Sequence, residues 1–122
     1  MWDVEFEDAF EAEFLTFSRT VQNKVLAAGR VLSDEGPQLG RPYADTLKGS
    51  KHANMKELRF AADGGEWRIA FAFDPRRRAI LLVAGDKTGI SETRFYKWLI
   101  ATADQRFSAH LAAVKPTTKK GG

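Results

Sequence analysis

The stretch "MKELRFAADGGEWRIAFAFDPRRRAILLVAGDK", Met55 to Lys87, reads as three strands in quick succession, and the rest of the chain falls into place around them. In "MKELRFA", Leu58 and Phe60 point one way and Glu57 and Arg59 the other, the alternation of a half-buried strand. "ADGG" is a hairpin turn, since paired glycines after an aspartate supply the positive φ angles that such turns need. "EWRIAFAF" then stacks Trp67, Ile69, Phe71 and Phe73 on one face and leaves Arg68, Ala70 and Ala72 on the other. "DPRRR" makes the next turn, and "AILLVAGDK" is apolar for most of its length, as a central strand covered on both sides would be.

Upstream, "WDVEF" alternates Trp2, Val4 and Phe6 with Asp3 and Glu5 and predicts a first strand. Asp8 can cap a helix carrying Phe10, Phe14 and Phe17; Ser18 or Thr20 can cap a second with Val21, Val25, Leu26 and Leu32. This helical hairpin ends at Gly36-Pro37, where proline forbids continuation. "PQLGRPYADTLKGSKHAN" has no sustained period and predicts a long loop. Downstream, Ser91 begins a last helix running to about Leu111, with Ile90, Phe95, Trp98, Leu99, Thr102 and Ala103 spaced to pack on the sheet. The expectation is an α+β fold of order β-α-α-β-β-β-α in one domain, residues 1–113, followed by a flexible basic tail, residues 114–122.

At 122 residues and 43% hydrophobic content the chain suits one core, because a domain of this size buries about two-thirds of its unfolded surface. No apolar run approaches the roughly 20 residues of a membrane span, and the acidic start "MWDVEFEDAFEAEF" is unlike a signal peptide, so no membrane association and a cytoplasmic location are expected. The absence of cysteine removes disulfides, thiolate metal sites and cysteine nucleophiles together. With His52 and His110 the only histidines, a histidine-rich metal centre is out of reach as well, and no cofactor is expected. Charge is uneven: residues 1–36 carry net −5, whereas 48–87 and 88–122 carry net +4 each. A basic C-terminal two-thirds is the footprint of a polyanion-binding surface, or simply a solvated asymmetry.

Residues 57 and 59 share a sheet face, and Arg68 shares it if the aromatic side of its strand joins Leu58 and Phe60 in the core. Small Ala70 and Ala72 would leave a shallow floor beside them, and "AILLVAGDK" delivers Gly85, Asp86 and Lys87 at its end. The same charges could equally form salt bridges on an exposed sheet, each worth about 0–1 kcal/mol.

The runs "GRPYADTLKGSKHANMKELRF", "EWRIAFAFDPRRRAILLVAGDKTG" and "FYKWLIATADQRFSAHL" resemble the RelE/ParE superfamily of toxin–antitoxin toxins, in particular its HigB-like, phage Gp49-like branch. "KELR", "WRI" and "GDK" occur in the family's order, and the likeness extends from the first strand to about Leu111. It implies a small curved antiparallel sheet with a helical hairpin and a C-terminal helix, in agreement with the element order above.

The resemblance also implies a metal-independent mRNA endonuclease working on the ribosome and silenced by a helix-turn-helix antitoxin. In that chemistry the ribose 2′-hydroxyl attacks the adjacent phosphate, leaving a 2′,3′-cyclic phosphate and a 5′-hydroxyl. The reaction needs a proton acceptor, neutralisation of phosphorane charge and help for the leaving oxygen. Arg59 and Arg68 suit a bidentate phosphate clamp and Lys87 a point charge. Glu57, beside two arginines, suits an orienting role better than that of a base. His52, whose residue type titrates near neutrality, and Tyr96 on the last helix are the remaining catalytic candidates, against an exposed loop histidine and a core-edge tyrosine. Lys48, Lys51, Lys56 and Lys97 are candidate RNA contacts, and so are Arg76, Arg77 and Arg78, which form a turn first and a patch second. Trp67, Phe71, Phe73 and Trp98 fit core positions. Two other readings stay open: a ParE-like gyrase inhibitor without nuclease chemistry, and an inactive prophage-derived module that only binds its antitoxin. The antitoxin would lie against the basic sheet or the hairpin, or bring a basic element to Glu7, Asp8 and Glu11.

Overall fold

The structure is a computed structural model describing residues 1–114; the basic tail expected at 114–122 otherwise lies outside the described residues. Strand β1 (Asp3–Phe6) leads into helices α1 (Asp8–Phe14) and α2 (Arg19–Glu35), then a short 3-10 turn (Gly36–Gln38). Strands β2 (Ala44–Thr46), β3 (Lys56–Ala62), β4 (Gly65–Phe73) and β5 (Arg78–Asp86) follow, and α3 (Glu92–Ala113) closes the order. The α+β class and the three consecutive strands match expectation. The β3–β4 hairpin turns at "ADGG" as expected, but the positive φ angles fall on Asp63 and Gly64, while Gly65 already belongs to β4.

The sheet has the strand order β1-β5-β4-β3-β2 and is mixed, not wholly antiparallel: β1 runs parallel to β5, with Asp3 opposite Arg78 and Phe6 opposite Leu81. A return from β1 to β5 through the whole intervening chain permits either direction, and alternation along β1 does not encode it. The expected loop also contributes a strand, β2, which pairs antiparallel with β3 through Ala44–Leu58 and Thr46–Lys56.

Helices cover both faces. Phe10, Val21, Val25 and Leu32 pack with Leu58, Ile69, Phe71 and Leu81 on one side. Phe95, Leu99, Ala103 and Phe107 of α3 pack with Ala70, Ala72, Ile80, Leu82 and Val83 on the other. Each large side chain so buried contributes about 1.5–3 kcal/mol. Ala70 and Ala72 are therefore no shallow floor; α3 lies on them, and their small size is what lets it come close. Leu26, Ile90 and Trp98, expected to pack, are about half exposed, because the α2 and α3 seams run through Val21, Val25 and Leu32 and through Phe95, Leu99 and Ala103 instead. At the start of α1 the cap is Glu7, not Asp8: the Glu7 carboxylate accepts from the Phe10 N–H at 2.9 Å. Ser18 and Ser91 cap α2 and α3.

A register shift between Ala70 and Phe71 decides what the end of β5 presents. Ala70 pairs with Val83 but Phe71 pairs with Leu81, so Leu82 is the extra residue of a bulge. The bulge reverses the facing of everything beyond it, and Gly85, now opposite Arg68, turns toward α3.

Candidate active site

Strand pairing alone assembles the core of the site. Glu57 sits opposite Ala70 and Arg59 opposite Arg68, so all three charged side chains emerge on the α3 face. Lys87, whose N–H donates to the Glu66 carbonyl at 2.9 Å, continues the row beyond the bulge. Tyr96, in the second turn of α3, closes over it.

The contacts are specific. Tyr96 Oη donates to Glu57 Oε1 at 2.8 Å and accepts from Arg68 Nε at 3.3 Å. Arg59 Nε donates to Glu57 Oε2 at 3.1 Å, and Arg68 Nε lies 3.9 Å from Glu57 Oε1. One Arg68 terminal nitrogen donates to the Trp67 carbonyl at 2.9 Å and stands 3.8 Å from the exposed Glu66 carboxylate. Glu57 and Arg68 are almost fully buried, the Arg59 side chain 29% exposed. With Nε bonded to Glu57 and the side chain 29% exposed, Glu57 holds the root of the Arg59 guanidinium while its outer edge reaches solvent.

Electrostatics follow from these contacts. Burial, then the hydrogen bond to Glu57, pushes the Tyr96 phenol above its ordinary pKa, which keeps it a neutral donor at physiological pH. Lys87 Nζ bonds the Glu92 carboxylate at 3.0 Å, and that bond above all, with Arg68 and Arg59 adding at longer range, holds Glu92 below the usual glutamate value. Three cations, Arg59, Arg68 and Lys87, thus face three carboxylates, Glu57, Glu66 and Glu92. Glu66 and Glu92 are components that sequence reasoning missed; Glu92 had only its place in the first turn of α3, close after Lys87, to suggest it.

Other expected residues lie elsewhere. His52 Nε2 bonds Ser108 Oγ at 2.9 Å and its ring packs edge-on against Phe107. Ser108 is twelve residues along α3 from Tyr96, about 18 Å at 1.5 Å rise per residue, so His52 does not join the cluster. Its loop is tied down by buried Asp104, which takes hydrogen bonds from the Ser50 hydroxyl and the Lys51 N–H. Arg76 and Arg77 lie in the turn beyond β4 and Arg78 opens β5, past the end of a strand that runs five residues, about 17 Å, from Arg68 to Phe73, so they are not beside the site. Arg78 is committed to Asp74 at 2.8 Å and Glu5 at 3.2 Å, and Arg77 lies 4.6 Å over the Trp2 ring. Lys56 faces the hairpin side and donates to the Pro37 carbonyl at 3.0 Å. Lys51 and Lys97 both line a groove of about 690 Å³ between the loop and α3, with Lys48 exposed nearby in sequence. Among the described residues no helix is long and apolar enough to cross a membrane.

Comparison with known proteins supplies the relatives. Residues 12–108 match the family described as phage derived protein Gp49-like (DUF891). Two proteins of Mycobacterium tuberculosis (strain ATCC 25618 / H37Rv) are similar over 103 residues, or 84% of this chain: "Putative toxin HigB2" at 50% identity and "Putative toxin HigB3" at 47%. The chain spans about half the length of the first, 51%, and 88% of the second. A match across most of the chain and identities near one half leave no room for chance likeness, and the chain belongs to the Gp49-like family of phage-derived proteins, on the branch that holds the HigB-like toxins.

Proposed function

We propose that the chain is the toxin of a toxin–antitoxin pair and cleaves ribosome-bound mRNA at the Glu57–Arg59–Arg68–Tyr96–Lys87 cluster. The observation that carries this is the posture of Arg59: anchored at Nε by a buried carboxylate, with its outer edge open to solvent beside Arg68 and Lys87. A guanidinium fixed in this way is pre-organised to take two nonbridging oxygens of a phosphodiester. In the step proposed, the 2′-hydroxyl gives up its proton to water as its oxygen bonds to phosphorus, the P–O5′ bond breaks, and the departing 5′-oxygen takes a proton from water. Arg59, Arg68 and Lys87 offset the charge that builds on the phosphorane, while neutral Tyr96, its one hydroxyl proton given to Glu57, holds that carboxylate in place beneath them. With His52 out of reach, stabilisation of the phosphorane takes precedence over histidine base catalysis, and in-line geometry comes from the message as the ribosome holds it. The partners are then mRNA, the ribosome and a helix-turn-helix antitoxin, in the cytoplasm. Lys97 and Lys51 add RNA contacts along α3.

The test is purified protein in a reconstituted translation system, with breaks mapped by primer extension. Cleavage that requires ribosomes, leaves a cyclic phosphate and disappears in Arg59→Ala supports the proposal. Unbroken message, with DNA supercoiling by gyrase inhibited instead, overturns it in favour of the ParE-like reading.

A further inference from the structure

Trp98 and Ile90 are 46% and 47% exposed, and they stand together on the α3 side of the sheet, where the rest of the large apolar surface is packed. Leu26 and Val31, also exposed, lie on α2, across the sheet. Trp98 and Ile90 line a mainly apolar cleft of about 360 Å³ with Gly85, Asp86, Arg94 and Phe95. Gly85 makes it possible: a Cβ there would stand 2.8 Å from the indole and 3.1 Å from the Phe95 ring, so the tryptophan rests directly on β5 backbone. The same Gly85 is opposite Arg68 in the sheet, one strand spacing of about 4.8 Å away. Tyr96, Phe95 and Trp98 form a row, with ring centroids 5.2 Å and 5.8 Å apart, leading from the charged cluster to the cleft.

We propose that Trp98, flanked by Ile90 and Arg94, is a stacking shelf for an RNA base whose neighbouring phosphate is held at Arg59 and Arg68. This deepens the proposed function and rests on it. Three things favour a nucleobase over an apolar peptide. The shelf is continuous with a phosphate-sized cationic cluster. Its rim charges Arg94 and nearby Lys97 are basic and exposed. Its one acid, Asp86, is turned away, accepting from the backbone N–H groups of Glu66 at 3.1 Å and Thr88 at 2.9 Å. An aromatic face beside a cationic groove is how single strands are held without regard to base pairing.

The experiment follows the three tryptophan indole N–H signals by NMR, with Trp98 assigned from Trp98→Phe, while a 2′-O-methylated trinucleotide that cannot be cleaved is added. The Trp98 signal is expected to move with the trinucleotide and not with inorganic phosphate. Trp98→Ala should weaken binding about tenfold or more, and Trp98→Phe, which keeps a ring, much less. Trinucleotide binding that is lost in Arg59→Ala but indifferent to Trp98→Ala overturns the shelf and leaves the cluster reading standing. Binding indifferent to Arg59→Ala, or none at all, overturns both. A Trp98 signal that responds only to an antitoxin overturns the nucleobase in favour of a protein partner.

Discussion

Glu57→Gln tests whether the charged cluster is a pre-organised device or a loose surface arrangement. The carboxylate uses both oxygens, Oε1 for Tyr96 at 2.8 Å with Arg68 Nε at 3.9 Å, and Oε2 for Arg59 at 3.1 Å. An amide of the same shape has one accepting oxygen, so its NH₂ either confronts the Arg59 donor or forces the Tyr96 hydroxyl to turn from donor to acceptor. It also leaves Arg68, whose side chain is 9% exposed, without the Glu57 charge. Breaking one side of a buried ion pair costs about 3–5 kcal/mol. Arg59 can recover water and Arg68 keeps the Trp67 carbonyl, so the lower end, about 3 kcal/mol, is expected. In urea this appears as a lower midpoint at unchanged slope, and in heating as a Tm lower by about 10–15 °C. A loss below about 1 kcal/mol would show that solvent already screens the carboxylate, and the pre-organisation of Arg59 would go with it.

Arg59→Ala should abolish cleavage in the translating system while costing about 1–3 kcal/mol of stability, since buried Glu57 loses one partner but keeps Tyr96 and Arg68; matched activity and urea curves check this. Asp74 is buried, and although burial works against its charge, hydrogen bonds from His110 and Arg78 hold it below its ordinary 3.8. Its contribution to stability is therefore present above pH 3.8 and lost as pH falls through the lower folded-state value, and Asp74→Asn should flatten that acid limb in pH-dependent denaturation. Gly85→Ala drives a methyl group to 2.8 Å from Trp98 and should cost about 1–3 kcal/mol or tilt the indole outward, which near-ultraviolet circular dichroism would register. Glu92→Gln removes the partner of Lys87 and should strengthen binding of an uncleavable oligoribonucleotide, with a steeper dependence on salt.

Much of the fold was legible because β3, β4 and β5 alternate strongly and Asp63-Gly64 names its own turn. The face shared by Glu57, Arg59 and Arg68 followed from period two and one hairpin register. What was hidden depends on information that does not lie within a single segment. The three residues of β2 are too few to show a period, and the direction of β1 is set by its partner. Trp98 shares a helical stripe with Phe95, and nothing in that stripe says that the seam stops short of it. His52 looked available because its neighbours are polar, yet those neighbours are what fasten it to Asp104 and Ser108, more than fifty residues on. Arg76, Arg77 and Arg78 read as a turn first and a patch second, and what commits Arg78 is Asp74 within that turn together with Glu5 on the distant β1, a pairing no single segment reveals.

The placement of Tyr96 after every strand bears on how the molecule is made. Emerging from N- to C-terminus, the chain offers the two arginines and Glu57 well before the helix that covers them. Until that helix docks, the acid and its guanidiniums are bathed in water and their geometry is unfixed. Vectorial synthesis thus leaves the cluster incomplete until α3 has emerged and docked, so its fixed geometry is among the last features the chain acquires.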